Sequence, residues 1–265
     1  MTTEERVVGE LVTWRDGAVA VIEMNDPEPL NPLDPKTVEP DMTGLLRELD
    51  ADLGVRVAVL TGRGRAFSAG AYLGPPKAPR DQRDVERTMA DRLAWGYSFG
   101  DFWKTIHGFK KPIVAAVRGY ALGGGWKLAF MCDMIIAGQS AVFGSAEMKM
   151  GLMPSPMTAQ YLPKMLGKHR AFETFALSKW LKADEALALG LVNRVVPDEE
   201  CFDEAMTVAR QLSELPAVAL AFTKQAMVRA MALDDGYDLD RVMSSYLRTV
   251  DETQAASEAM RARRQ

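Results

Sequence analysis

Cysteine, histidine and excess positive charge are all scarce in this chain. Its 265 residues include only 2 cysteines and 2 histidines. Cys132 and Cys201 are too few for a disulfide framework or a cysteine-rich zinc site, so a reducing, cytoplasmic setting is the expectation. His107 and His169 lie in separate segments without metal-ligand spacing, and no metal site is expected. A formal net charge of -4 offers none of the basic surface that nucleic acid requires. Arg261-Ala-Arg-Arg264 is basic but short, and reads as a solvated tail. Met1 to Arg6 opens with charge and no long apolar run follows, so neither a secretory signal nor a membrane span is expected.

What the chain does have is glycine placed just beyond apolar strands. Ile113 to Val117 is a β-branched run suited to a buried strand. Gly119 and the triplet Gly123-Gly124-Gly125 break it, and Trp126 to Met131 resumes with residues that suit a helix. Glycines at a helix start admit close approach to the backbone, and the first helical amides have no intrahelical partner. The helix dipole adds about half a positive charge there, so a negative oxygen is the natural guest. The triplet fits neither the phosphate-loop nor the dinucleotide pattern, because Trp126 separates Gly125 from Lys127 and no Ser or Thr follows. Two readings remain at this point: an oxyanion hole, or tight packing of a helix on a strand.

Read in order, Val7–Trp14 and Ala18–Met24 are strand candidates joined across Arg15-Asp-Gly17 in a hairpin. Residues 25–35 form a proline-rich loop, and a helix is expected from Lys36 to about Asp52. Val55–Leu60 is a strand that runs into a second glycine-punctuated turn, Thr61 to Leu73. A loop over 75–79 precedes one or two helices over 81–106. After the central stretch come short strands over 134–137 and 141–143, then helices over 158–166, 169–177 and 183–189. Leu191–Val196 is a last strand, and beyond Asp198 the pattern is helical, broken at Leu215-Pro216. Strands followed by helices recur loosely, which predicts an α/β core over 1–197 and a helical part over 198–265.

Five pieces occur in an order that resembles one family. They are Pro29-Leu-Asn-Pro-Leu33, Arg65-Ala-Phe-Ser-Ala-Gly-Ala-Tyr-Leu73, Pro112 to Asp133, Phe143-Gly-Ser-Ala-Glu-Met-Lys-Met-Gly-Leu152 and Ala186 to Val196. The chain resembles the crotonase, or enoyl-CoA hydratase/isomerase, family along nearly its whole length. The resemblance implies an α/β spiral of ββα units with a C-terminal helical trimerisation region, assembled as a homotrimer or homohexamer. It implies an acyl-CoA thioester as substrate, coenzyme A arriving as part of that substrate and no other cofactor. By motif position the oxyanion amides are those of Ala71 and Gly124. Leu30, Ser68, Ala69, Gly70, Tyr72, Gly123 and Trp126 are the expected substrate and CoA contacts.

Departures from the family pattern bear on the reaction. Hydratases of the family carry two glutamates; the second is present as Glu147, and the first position is Lys127. Water addition uses the carboxylate pair, whereas a single base suffices to move a proton from C2 to C4 as the isomerases do. An isomerase-type proton shift is therefore favoured over hydration, decarboxylation or a non-catalytic CoA-binding protein. Three readings of Lys127 stay open: a solvated or CoA-facing residue, a partner of Glu147, or a proton donor or carboxylate holder. Tyr72, Trp126 and Met148 either narrow the acyl pocket or pack ordinarily. Met153-Pro-Ser-Pro-Met157 replaces a glycine-rich segment that, in the family, often borders the acyl side. Lys224 either reaches a CoA phosphate from a neighbouring subunit or is a solvated surface lysine.

Overall fold

The computed structural model describes residues 4–72, 102–154, 157–231, 246 and 251–262. The loop expected over 75–79 and most of the helical stretch expected over 81–106 lie outside them, as do Ser155 and Pro156. Two sheets organise what is described. The larger has the strand order β1 (Arg6–Val8), β2 (Leu11–Asp16), β3 (Val19–Met24), β5 (Val57–Gly62), β8 (Ile113–Val117), β10 (Met134–Gly138) and β13 (Arg194–Val196). The smaller runs β12 (Trp180–Lys182), β11 (Val142–Gly144), β9 (Tyr120–Leu122) and β6 (Ala66–Ser68). A two-stranded parallel pair joins β4 (Pro32–Leu33) to β7 (Gly70–Ala71).

The large sheet is parallel from β3 to β13, and from β3 to β10 it is buried on both faces, which explains its continuous apolar runs. Alternation assigns the faces. Val19, Val21, Val57, Val59, Val114, Ala116 and Ile136 pack on Cys201, Ala205, Met206, Val208 and Ala209 of the helix Cys201–Glu214. The intervening Ala20, Ile22, Ala58, Leu60, Ala115 and Val117 face the main core, with Met42, Leu45, Leu46 and Leu49 of helix α1 (Val38–Ala51). Three times a strand of the large sheet continues into one of the small sheet, β5 into β6, β8 into β9 and β10 into β11. This repeated step produces the crotonase-like α/β spiral.

Helix α2 (Gly124–Met131) is buried from Gly125 to Met131, as expected of a helix apolar on nearly all sides. Further helices among the described residues are α3 (Thr158–Leu166), α4 (Lys168–Ala176), α5 (Ala183–Ala188), α6 (Cys201–Glu214), α7 (Ala217–Ala230) and α8 (Asp251–Ala262). The single strand expected over 7–14 is two strands, because Gly9 turns the chain at φ 57° and folds β1 antiparallel onto β2. The strand expected from Leu191 begins at Arg194, and the second glycine turn contains β6 and β7. Among the described residues, no helix is long and apolar enough to cross a membrane.

Two polar anchors in this frame carry no obvious sequence signal. Asn31, 1% exposed, accepts the Asp26 amide at 2.9 Å and donates to the carbonyls of Arg63 at 2.9 Å and Ala66 at 2.8 Å. It thereby staples the proline-rich loop to β6. Lys224, expected on the surface or at CoA, is 7% exposed instead. Its ammonium donates to Asp133 Oδ2 at 2.7 Å and the Lys111 carbonyl at 2.8 Å, and the same Asp133 oxygen accepts the Ile113 amide. Lys224 thus ties α7 to the start of β8 through an ion pair whose ammonium is buried and whose carboxylate is partly exposed.

Candidate active site

The triple glycine lies where β9 leaves the small sheet and α2 begins. The Gly123 amide donates to the Gly144 carbonyl at 2.8 Å, extending the β9–β11 pairing in which Leu122 faces Gly144. That pairing carries the turn after β11 to the triplet. Glu147 opens the 3₁₀ turn Glu147–Met150, and Ser145, 2% exposed, donates its hydroxyl to Glu147 Oε2. A Cβ built on Gly123 would lie 3.2 Å from Glu147 Oε1, so the carboxylate rests directly against the triplet backbone.

The other side of the triplet meets the second glycine turn. A Cβ on Gly124 would lie 3.6 Å from Gly70 Cα and 3.8 Å from the Ala71 nitrogen. Gly70 adopts φ 81°, and a side chain there would sit 2.3 Å from the Leu122 carbonyl oxygen. Only glycine permits this approach, which draws Ala71 to Gly124. Gly124 is the first residue of α2, where helical geometry supplies no partner for the amide. Ala71 is exposed, Gly123 and Gly124 are half-buried, and Glu147 is half-buried. Ala71, Gly124 and Glu147, distant in sequence, are neighbours in space.

The expected CoA contacts divide. The Ala69 amide donates to the Leu30 carbonyl at 2.8 Å and the Gly70 amide to Ser68 Oγ at 3.1 Å, so both are used within the turn. Ser68 is fully buried, its side chain an internal brace. Leu30 is half-buried at φ 67°, beside Asn31 at φ 51°, in the bend that brings β4 to β7. Tyr72 is half-buried at the end of that segment and Met148 is exposed. Trp126 packs in the core, fully buried, with ring centroids 5.0 Å from Phe130 and 6.1 Å from Phe175.

Lys127 is 2% exposed, which overturns the reading of a solvated residue. Its ammonium lies 3.7 Å from the centroid of the Trp103 ring and its charge acts on Glu39, a 4%-exposed carboxyl on α1. Sequence reading passed over Glu39, although an acid beside Met42 and Leu46 on an apolar helix face calls for a partner. Burial raises the Glu39 pKa to about 8, Lys127 opposes the rise and Asp34 adds to it. Because the folded value exceeds the unfolded one, the proton is retained longer in the native state. Stability from this group is fully present below the ordinary carboxylate pKa and is lost as pH climbs toward 8. Glu39→Gln should remove that dependence: measured by urea unfolding, the variant gains on wild type between pH 5 and pH 8, by several kcal/mol at about 1.4 kcal/mol per unit. Burial likewise raises both thiols, Cys201 to about 11, so neither is poised as a nucleophile.

With this geometry in place, comparison with known proteins is decisive. The family model for enoyl-CoA hydratase/isomerase matches residues 15–265. The chain belongs to the enoyl-CoA hydratase/isomerase family. It is 35% identical to a probable enoyl-CoA hydratase of Mycobacterium bovis over 87% of this chain and 86% of that protein. An enoyl-CoA hydratase structure from Mycobacterium avium subsp. paratuberculosis superposes with TM-score 0.83 at 29% identity, covering 96% of this chain and 99% of the other. A monofunctional enoyl-CoA isomerase from M. smegmatis gives TM-score 0.70 at 28% identity, covering 87% and 98%. This member of the enoyl-CoA hydratase/isomerase family is an enzyme acting on an acyl-CoA.

Proposed function

We propose that this enzyme shifts a proton within an unsaturated acyl-CoA. Glu147 takes the proton from C2, the C–H electrons move into the thioester, and its oxygen gains charge against the amides of Ala71 and Gly124. Return of the proton at C4 moves the double bond from C3–C4 to C2–C3, and atoms and charge balance. The supporting observation is the adjacency of the Glu147 carboxylate, the Gly124 amide at the start of α2 and the Ala71 amide. Amides pre-aimed at a developing oxyanion are often the largest catalytic contribution, and a positioned carboxylate supplies the base. The CoA portion lies along the Leu30 bend and the Gly70–Tyr72 edge.

Hydration is the second reading, favoured by the hydratase names that dominate among the relatives. Against it stands Lys127, buried toward Trp103 and Glu39 where hydratases keep their first carboxylate. Exposed Val218, Phe222 and Met227 on α7 support assembly with further copies of the chain. The deciding experiment gives the enzyme 3-hexenoyl-CoA and crotonyl-CoA in parallel. Isomerisation of the first should exceed hydration of the second by about 10²-fold, the usual worth of one acid–base group. Faster hydration would instead establish the hydratase.

A further inference from the structure

Glu147 offers two carboxylate oxygens, and their surroundings differ. A Cβ built on Gly123 would lie 3.2 Å from Oε1 and 3.7 Å from Oε2, so Oε1 is the oxygen nearer the triple glycine. Oε2 accepts the hydroxyl proton of Ser145. Ser145 is 2% exposed, which keeps water from competing for that proton, and a donor to an ionised carboxylate makes one of the stronger hydrogen bonds open to a hydroxyl.

The donor is held more rigidly than the group it serves. Ser145 follows Gly144, the last residue of β11, which pairs with Leu122 of β9 on one side and Trp180 of β12 on the other. Glu147 instead opens a short 3₁₀ turn. The last torsion of a glutamate is broad and nearly two-fold, so an unsupported carboxylate interchanges its oxygens easily. A hydroxyl fixed to a strand end removes that freedom, and supporting hydrogen bonds of this kind hold a reacting group to within about 0.5 Å. The far end of the turn has a separate anchor. Thr253 of α8, 4% exposed, donates to the Gly151 carbonyl at 2.9 Å.

We propose that Ser145 is a positioning residue for the base, engaging Oε2 so that Oε1 carries the migrating proton in both steps. The inference rests on the proton-shift reading above and deepens it. In the first step the C2–H bond breaks, an Oε1–H bond forms, and the electron pair moves toward the thioester oxygen. In the second the Oε1–H bond breaks, a C4–H bond forms, and the electron pair returns to leave the double bond at C2–C3. The oxygen that takes the proton is the one that gives it back. A carboxyl free to turn would present either oxygen and exchange its proton with water between the steps.

The test uses 3-hexenoyl-CoA deuterated at C2, turned over in ordinary water, with mass spectrometry of the 2-hexenoyl-CoA product to read the deuterium delivered to C4. Wild type should deliver label to C4. Ser145→Ala should lower kcat by about tenfold or more with KM unchanged, because the group it misplaces acts only in the transition state. The same variant should lose most of the label at C4. Ser145→Cys, whose thiol is a weak donor, should lie between alanine and wild type in both readouts. Thr253→Val also removes a hydrogen bond from the turn but leaves the carboxylate untouched. It should lower thermal stability and keep the wild-type label fraction. No label at C4 in wild type, either readout unmoved in Ser145→Ala, or an equal loss of label in Thr253→Val overturns the role of Ser145 and leaves the proton-shift reading standing. Failure of wild type to isomerise the thioester at all overturns both.

Discussion

Glu147→Gln should lower kcat for C2 proton exchange and for double-bond migration by about 10²- to 10⁴-fold, the range for a positioned acid–base group. The exchange is nearly isosteric, and the amide oxygen still accepts from Ser145, so the 3₁₀ turn that carries residue 147 keeps its local partner. What disappears is only the capacity to take a proton. Binding of a non-reacting thioester should therefore change little, since an interaction lost in the transition state alone lowers kcat and kcat/KM together. The two measurements separate an enzyme from a CoA-binding relative without activity: exchange that persists within tenfold in Glu147→Gln would remove Glu147 from the mechanism.

Gly123→Ala carries the second large effect and tests geometry instead of chemistry. Gly123 holds φ 51° and ψ -116°, a conformation that L side chains rarely adopt, and a Cβ there meets Glu147 Oε1 at 3.2 Å. Alanine must strain the backbone, displace the carboxylate, or both. Strain of this kind costs about 1–3 kcal/mol, and misplacing a catalytic group by an ångström costs about 10² in rate. Gly17→Ala is the matched control, because Gly17 also has a positive φ of 59° but nothing lies within 4 Å of its added Cβ. Thermal unfolding should register a loss in both variants, whereas proton exchange should collapse only in Gly123→Ala. Equal exchange in the two would mean that Glu147 does not work from this position.

The burial of Lys127 where its charge acts on the buried Glu39 carboxyl changes what a substitution at 127 can achieve. Lys127→Glu restores the family's pair of glutamates on paper. In the folded protein it places a second carboxyl toward Glu39, whose pKa burial already raises to about 8. Like charges in a buried site cannot both ionise cheaply, so the single substitution does not reconstruct a hydratase. The residue at 127 belongs to a local arrangement that includes α1 and Trp103.

Much of this was legible from local pattern. Apolar β-branched runs identify the core strands, as at Val57–Val59 and Ile113–Val117, because parallel strands covered on both faces have no need of polar alternation. Glycine after a strand marks each sharp approach, and Pro216 marks the boundary between α6 and α7. Motif order was enough for the family. Boundaries were less legible where one residue turns the chain, as at Gly9, or where the helix begins within the glycines themselves.

What the amino-acid sequence by itself determined is therefore the family and most of the longer core strands and helices, and it supplied Glu147 and two glycine turns as the candidates for the proposed chemistry. Tertiary structure alone decided the neighbourhoods. Glu147 meets Gly123 because β11 pairs with β9 in one particular register, and Ala71 meets Gly124 because β7 pairs with β4 beside the start of α2. Such registers depend on packing between segments distant in the chain, which no local propensity encodes. The same holds for Lys127 buried against Trp103 and Glu39, and for Lys224 drawn to Asp133 instead of to solvent. A charged residue reads as surface until its partner, supplied by another element, makes burial tolerable.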